Sequence, residues 1–283
     1  MESFEPLSVL IHREVHMHAR DAEAELPGNQ KVKVSQVSHE FAGRSRSVHA
    51  LEDVSFSVPQ GEFVSILGPS GCGKSTLLHL ISGLNIASRG RIFIDEKQVR
   101  GTSQDIGMVF QSDLLLDWRN ALDNVLIQIE FRGLKKSDYV EPARELLRKT
   151  GLELFTDAMP KQLSGGMRQR VGICRALIHD PSLLLMDEPF GALDAITRER
   201  MNIDLLKVVE ESGKTVVFVT HSIEEAVFLA DRVLILSGRP GSLVADIEIP
   251  IPRPRLEWPH GESDFSPFAK KARAALGHRD PLS

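Results

Sequence analysis

The stretch SILGPSGCGKST, residues 65–76, decides the fold of this chain. Its apolar beginning predicts a short strand, and its end predicts a helix that opens at about Lys74. The loop between them matches the pattern G-x-x-x-x-G-K-[ST] at Gly68, Gly73, Lys74 and Ser75. Glycines let the backbone curl so that its N–H groups and the helix N-terminus face an anion. The stretch therefore predicts a phosphate-binding loop.

The chemistry of this loop assigns a role to two of its side chains. Lys74 would reach the β- and γ-phosphates of a nucleotide, and the Ser75 hydroxyl would ligate Mg²⁺. We therefore expect the loop to bind ATP or GTP, and the strand before it and helix after it argue against an ordinary glycine-rich turn. Within it, Cys72 is expected to be a tolerated small residue rather than a nucleophile. The expected nucleotide-binding residues here are Gly68, Pro69, Ser70, Gly71, Cys72, Gly73, Lys74, Ser75 and Thr76.

A second apolar run, LLLMDEP at residues 183–189, predicts a buried strand that ends in two adjacent carboxylates. Neighbouring acids at a strand end are often only part of a solvated turn. Beside a phosphate loop they gain a mechanism: Asp187 would hold the Mg²⁺ shell, and Glu188 would act as general base or water-positioner for the attacking water. We therefore predict that Asp187 is a metal ligand and Glu188 a catalytic residue.

Two further polar residues follow predicted strands. His221 ends VVFVTHS and Gln111 closes DIGMVFQ. A lone histidine after a strand is more often a helix cap, but ligands of open α/β sheets collect at the carboxyl ends of the strands. We expect His221 to contact the γ-phosphate and Gln111 to touch Mg²⁺ or the lytic water, which makes both candidate catalytic and nucleotide-binding residues.

The stretch LSGGMRQR, residues 163–170, places adjacent glycines where a helix begins. Gly165 and Gly166 with the Ser164 hydroxyl would form a second anion cradle at a helix N-terminus. The chain then has two phosphate-binding elements but one lysine loop. A head-to-tail dimer resolves this, because the loop of one copy and the Ser164–Gly166 turn of the other would sandwich each nucleotide.

The rest of the chain suggests an α/β protein with an insertion. Short β-branched runs from Val32 onward predict a core with antiparallel strands at its beginning. Helical patterns replace the strands afterwards and predict a helical subdomain at residues 112–165, inserted into a domain that covers residues 31–256. We expect residues 1–30 to be a flexible extension and residues 257–283 to form a tail.

Composition limits the classes of function. The 34 basic and 39 acidic side chains give a net charge of −5, which does not suggest a dedicated nucleic-acid binder. Two cysteines, Cys72 and Cys174, are too few for a disulfide framework and fit a reducing, cytosolic compartment. No stretch approaches the roughly 18 to 20 apolar residues of a membrane span. If the protein works at a membrane, a partner is expected to span it.

The motifs of the chain resemble the full motif set of an ABC-transporter ATPase subunit. In chain order they are GPSGCGKST, Gln111, LSGGMRQR, LLLMDEP, GALD and His221. The resemblance covers about residues 32–245. It implies an α/β fold with a P-loop NTPase (RecA-like) core, an antiparallel β subdomain and an inserted α-helical subdomain, with ATP and Mg²⁺ bound. It also implies that Asp194 couples the two sites of the dimer. Phe41, where a tyrosine is frequent, would stack on adenine, with Val48 packing nearby.

The chain is also similar to import ATPases of the nitrate, sulfonate and taurine group. This similarity lies in DEPFGALDAITRERM, THSIEEAVFLADRV and RPG followed by PRPR. This implies a peripheral motor on the cytoplasmic face of the inner membrane, with two membrane permease subunits and, indirectly, a solute-binding protein as partners. We expect Leu114–Trp118 to dock a permease helix. The alternatives are an ABC ATPase for another solute or an exporter, and a soluble non-transport ABC ATPase. A P-loop kinase or regulatory GTPase is disfavoured by LSGG and the paired carboxylates.

Overall fold

A computed structural model describes residues 30–42, 47–255 and 263–277. The predicted flexible extension lies outside the described residues, except for Gln30, with which the first strand begins. The predicted tail is described only over residues 263–277, where it contains a helix. The predicted subdomain and tail boundaries stay predictions.

The described residues form two sheets. An antiparallel sheet has the strand order β2-β1-β4-β5, and a larger sheet has the order β10-β9-β3-β8-β7-β6. In the larger sheet, neighbouring strands from β9 to β6 are parallel, and β10 joins the edge antiparallel to β9. The strands are β1 Gln30–Phe41, β2 Val48–Pro59, β3 Phe63–Leu67, β4 Arg89–Ile94, β5 Lys97–Gln98, β6 Ile106–Val109, β7 Leu183–Asp187, β8 Thr215–Thr220, β9 Arg232–Leu236 and β10 Leu243–Glu248.

Helices connect these strands and cover the larger sheet. They are α1 Lys74–Ile81, α2 Ala121–Phe131, α3 Val140–Lys149, α4 Gly165–Leu177, α5 Ala195–Ser212, α6 Ile223–Leu229 and α7 Ser266–Gly277. Short 3₁₀ turns occupy Lys136–Tyr139, Glu153–Phe155 and Pro160–Gln162. Side chains of Asn120, Ser164, Asp194 and Ser222 cap α2, α4, α5 and α6 by accepting a backbone N–H bond from the first turn. Capping residues therefore fix where these helices begin.

The central strands are buried on both faces. Every residue of β3, β7 and β8 is buried, as expected for parallel strands covered on two sides. One face packs with α1 and the antiparallel sheet, and the other packs with residues of α4, α5, α6 and α7. The predicted α/β class with antiparallel strands at its beginning is confirmed. Because the strands are parallel, the loops that follow β3, β6, β7 and β8 leave the same edge of the sheet.

The region between β6 and β7 is helical, as the sequence predicts. Helices α2 and α3 pack with α4 around an apolar cluster that is separate from the two clusters of the sheet. Buried members of this cluster include Val125, Leu147 and Cys174. The helical region therefore has a core of its own, and α4 links that core to the sheet.

The end of the described chain closes over helix α6. The buried guanidinium of Arg255 donates to the carbonyl oxygens of Phe228 (2.6 Å), Ala230 (2.8 Å) and Ile251 (3.0 Å). Burial lowers the pKa of Arg255 to about 10. Phe265, just before α7, lies beside the ring of Phe228 with centroids 5.9 Å apart. Arg255 thus satisfies carbonyls at the C-terminal end of α6 that the helix leaves unpaired.

We expect Arg255→Ala to lower the free energy of unfolding by about 3 kcal/mol, because it leaves several buried carbonyls without a donor. Urea unfolding followed by circular dichroism measures the change. Arg273→Ala removes an arginine whose ion pair is largely exposed and serves as the control, with an expected loss below about 1 kcal/mol. Equal losses in the two variants would contradict the role given to Arg255.

Candidate active site

The phosphate loop lies between β3 and α1, as predicted, and two of its glycines have left-handed backbone. Gly71 has φ 76° and Gly73 has φ 103°. A Cβ atom on Gly73 would lie 2.7 Å from the carbonyl oxygen of Ala50 and 2.7 Å from Leu51. Gly73 is therefore required both by its dihedral angle and by the close approach of β2.

Lys74 lies inside this loop. Its side chain is 5% exposed, and its Nζ donates to the carbonyl oxygens of Gly68 (2.9 Å) and Pro69 (3.1 Å). The same Nζ lies 3.6 Å from Oε1 of Glu188. The ammonium group is thus held between the loop backbone and the carboxylate of the residue that follows strand β7.

Ser75 and Asp187 are brought together from distant parts of the sequence. Ser75 Oγ donates to Asp187 Oδ1 at 2.9 Å. Burial raises the pKa of the Asp187 carboxyl, and the Ser75 hydrogen bond opposes that effect. A hydroxyl and a carboxylate are hard oxygen ligands of the kind that Mg²⁺ prefers, so this pair fits the metal that the sequence analysis assigned to it.

Glu188 and His221 form a hydrogen-bonded pair. Oε2 of Glu188 lies 3.0 Å from Nδ1 of His221, and the backbone N–H of Glu188 donates to the carbonyl oxygen of Val219 at 2.9 Å. Glu188 has φ 41°, a left-handed conformation that is uncommon for residues other than glycine. Strained backbone of this kind clusters at active sites, and here it belongs to the residue predicted to act as the base.

Gln111 lies two residues beyond the end of β6, and its side chain is exposed. The segment that follows it is tied to α4 by contacts that the sequence analysis did not identify. Arg168 Nε donates to Oδ2 of Asp113 at 2.8 Å, and Arg175 donates to the carbonyl oxygens of Asp113 and Leu114, each at 2.7 Å. The segment after Gln111 therefore contacts α4, the helix whose N-cap is Ser164.

The Ser164–Gly166 turn forms the start of α4, with Ser164 as the N-cap and Gly165 as the first helical residue. Ser164 Oγ accepts from the backbone N–H of Met167 at 3.3 Å, and both Ser164 and Gly165 are exposed. Within the described ranges, no hydrogen bond or ion pair links this turn to the phosphate loop. The chain thus presents this helix N-terminus at its surface.

Asp194 occupies the matching position at the start of α5. Its Oδ1 accepts from the backbone N–H of Thr197 at 3.0 Å, and this bond lowers the pKa of the Asp194 carboxyl. A Cβ atom on Gly166 would lie 3.1 Å from Cγ2 of Thr197. The N-terminal turns of α4 and α5 are therefore neighbours.

Phe41 and Val48 are paired at the end of the β1–β2 hairpin where the chain passes from one strand to the other. Phe41 is 43% exposed, and its ring meets that of His39 edge to face at 4.6 Å between centroids. Val48 is two residues from Ala50, whose carbonyl approaches Gly73. An exposed aromatic ring thus lies on the same hairpin that packs against the phosphate loop.

Comparison with known proteins decides the family. The family model described as ABC transporter matches residues 51–191. The taurine import ATP-binding protein TauB of Rhizobium johnstonii is 47% identical over 257 residues, which cover 89% of this chain and 98% of that protein. The chain belongs to the ABC transporter family. The sequence-based assignment to the import ATPase group that includes taurine transporters is confirmed.

Other relatives agree with this membership. An uncharacterized ABC transporter ATP-binding protein of Methanocaldococcus jannaschii is 46% identical over 225 residues, 80% of this chain and 84% of that protein. An ATP-binding cassette solved as a dimer in a post-hydrolysis state with ADP and Pi superimposes with a TM-score of 0.69 at 35% identity, covering 77% of this chain and 98% of that one. This ABC ATPase therefore has the fold of known nucleotide-binding cassettes.

CbiO1 of Clostridium perfringens, part of an ABC transporter complex, superimposes with a TM-score of 0.70 at 25% identity. The match covers 90% of this chain and 97% of that one. Within the described ranges of this ABC ATPase, no helix has the length and apolar character that a membrane span requires.

We expect the Cys72 thiol to react with iodoacetamide at least about tenfold more slowly in the native ABC ATPase than in the urea-unfolded chain. The side chain is 1% exposed, and burial raises the pKa of the Cys72 thiol, so little reactive thiolate is present near neutral pH. Peptide mass spectrometry measures alkylation site by site. Cys174, buried with its pKa raised to about 12, is the internal control for native protection. Native alkylation of Cys72 at the unfolded rate would contradict this prediction.

Proposed function

We propose that this chain is the ATP-hydrolysing motor subunit of an ABC importer for taurine or a related small sulfonate. The observation that carries the proposal is the convergence of Lys74, Asp187, Glu188 and His221 at one edge of the parallel sheet. Similarity to the taurine import ATP-binding proteins supports the direction of transport and the class of solute. A separate permease of two membrane subunits would form the channel, and a solute-binding protein would select the solute.

In this proposal each residue of the site has its own role in ATP hydrolysis. The loop residues Gly68–Thr76 bind the phosphates of ATP, and Lys74 neutralises the β- and γ-phosphates. Glu188 accepts a proton from the water whose oxygen attacks the γ-phosphorus, while the bond to the bridging oxygen of ADP breaks. ADP and inorganic phosphate are the products. With Nδ1 bound to Glu188, His221 retains Nε2 for the γ-phosphate.

Ser75 and Asp187 would hold Mg²⁺, with Gln111 as a further ligand from the neighbouring strand end. The ion would supply positive charge that neutralises the phosphates during transfer. The hydrogen bond between Ser75 and Asp187 supports this assignment, because it keeps the two ligand oxygens together at the loop.

Two copies would form a head-to-tail dimer around two ATP molecules. The Ser164–Gly166 turn of one copy, exposed at Ser164 and Gly165, would meet the γ-phosphate bound by the phosphate loop of the other. Its helix N-terminus offers N–H groups and a positive dipole end to that anion. Asp194 lies beside this turn and would contact the other copy. The adenine ring would stack on Phe41 beside Val48. The dimeric ATP-binding cassette with ADP and Pi supports this arrangement.

We expect Glu188→Gln to bind ATP normally and to hydrolyse it at least about a hundredfold more slowly, because the glutamine amide cannot accept the proton of the attacking water. The variant should accumulate as an ATP-bound dimer, which size-exclusion chromatography with ATP detects. Asp246→Asn, which changes an acid in the edge strand β10, is the matched control and should keep full turnover. Normal turnover in Glu188→Gln would overturn the role of this residue.

Solute uptake tests the proposed function in cells. Cells that lack this chain should lose uptake of taurine or of one alkanesulfonate, and the wild-type chain but not Glu188→Gln should restore it. Nitrate and a pyrimidine precursor complete the panel. If uptake of every solute is unchanged, the proposed role in importing these solutes is wrong; if only another solute is affected, the motor role stands and the solute class is wrong.

The apolar side chains of the Leu114–Trp118 segment, which we propose to contact a permease, differ in their exposure. Leu114 is 53% exposed and Trp118 is 73% exposed, whereas Leu115 packs against the apolar cluster of the helical region. The exposed pair therefore offers most of the apolar surface, Leu115 and Leu116 are partly buried, and docking of the Leu114–Trp118 segment stays a prediction. Contiguous exposed apolar patches mark interaction sites, which is the reason to test this pair of side chains.

We expect Trp118→Asp to lose most solute uptake in cells while the purified chain keeps its ATPase activity, because a charge on the docking surface weakens the permease contact without changing the nucleotide site. Leu154→Asp, at a fully exposed leucine elsewhere in the helical region, is the control and should keep uptake. Loss of both activities in Trp118→Asp would mean that the residue supports the fold instead.

A further inference from the structure

A buried polar cluster lies directly beneath His221. The carboxylate of Glu225, on α6, accepts from Thr220 Oγ1 at 2.5 Å and from Asn202 Nδ2 at 3.5 Å. Glu225 is 5% exposed and Asn202 is fully buried. Thr220 is the residue before His221, and its Oγ1 also accepts from the backbone N–H of Ser222. Hydrogen bonds to both neighbours of His221 in the chain thus fix the turn that carries it.

Arg198, on α5, joins this cluster to the turn that follows Glu188. Its Nε lies 3.7 Å from Oε1 of Glu225. The same guanidinium donates to the carbonyl oxygens of Leu193 (2.6 Å) and Phe190 (3.3 Å), which lie between Glu188 and Asp194. One side chain therefore contacts the backbone of the 188–194 turn and the carboxylate that holds Thr220.

We propose that Glu225 and Arg198 are positioning residues that hold His221 and the 188–194 turn in one fixed relation, so that a shift at Asp194 reaches His221. This inference rests on the proposed function, because it assigns a partner-sensing route to the residues proposed there to act on ATP. Neither Glu225 nor Arg198 needs to touch the nucleotide. Their effect is exerted through the hydrogen bond between Glu188 and His221.

The free-energy cost of burying charge favours a positioning role for Glu225 and Arg198 over a role in stabilising the fold. Burial raises the pKa of the Glu225 carboxyl, so keeping its charge costs free energy. An ion pair taken out of water is commonly no more stabilising than apolar side chains of similar volume. What Arg198 provides is direction, because its guanidinium donates to the carbonyl oxygens of Phe190 and Leu193 while it lies 3.7 Å from the Glu225 carboxylate.

The first test compares Glu225→Gln with Glu224→Gln, which changes the exposed neighbour on the same helix. Glu225→Gln keeps the shape of the side chain but removes the ionic partner of Arg198. We expect kcat for ATP to fall about tenfold in Glu225→Gln, because a small misplacement of a catalytic group has effects of this size or larger. KM for ATP should be unchanged. Glu224→Gln should keep both constants.

The second test is a double-mutant cycle with His221→Ala, measured by release of labelled phosphate over long incubations. If Glu225 acts through His221, Glu225→Gln has no further effect on kcat in the His221→Ala background. If Glu225 only supports the fold, the two losses multiply and the melting temperature falls in parallel. Multiplied losses therefore overturn the inference.

The outcomes separate this inference from the proposed function. Normal kcat in Glu225→Gln, with a large loss in His221→Ala, overturns the inference and leaves the proposed motor role intact. Full turnover in His221→Ala overturns the role proposed for His221 and, with it, the inference. Absence of ATPase activity in the wild-type chain, alone and with its permease, overturns both.

Discussion

Burial of the parallel sheet on both faces is the constraint on which the rest of this structure depends. Strands β3, β7 and β8 are buried along their whole length, so helices and the antiparallel sheet must together cover both sides of the larger sheet. Each crossover then returns the chain to the same edge, and the loops after β3, β6, β7 and β8 meet there. The site is a consequence of this topology, because residues separated by more than a hundred positions, such as Ser75 and Asp187, come within hydrogen-bond distance.

The sequence predicts those parts of the site that are encoded in one short stretch better than those that depend on contacts between distant stretches. The phosphate loop, the carboxylates after β7 and the helix start at Ser164 are predictable, because each is decided by a short stretch with its own backbone requirement. The strand order and the Glu188–His221 hydrogen bond follow once several such stretches are assumed to share a sheet edge. Contacts such as Arg168 with Asp113, 55 residues apart, depend on how α4 packs, and no pattern in either stretch indicates them.

In the helical region, a local sequence pattern also does not reveal which side chains are exposed and which are buried. Leu114, Leu115 and Leu116 are identical in type and adjacent, yet Leu114 is exposed and Leu115 packs against the helical core. Leu114 has φ 46°, which turns the chain sharply at that point and removes any strand or helix period. Burial in such a segment is set by the turn and by Arg175, which holds the carbonyl of Leu114.

Each copy carries one half of each of the two proposed nucleotide sites, and polar contacts within the chain keep both halves ordered. The phosphate loop is fixed from within, by Lys74 and the close approach of Ala50 to Gly73. The opposite half, at Ser164 and Asp194, is fixed by helix caps and by its neighbour contact through Thr197. Because each half is organised before a second copy arrives, association need not supply the free energy of ordering loops. Arg198 contacts both the turn that leads to Asp194 and the Glu225 carboxylate that accepts from Thr220, so it joins the second half to the residue before His221.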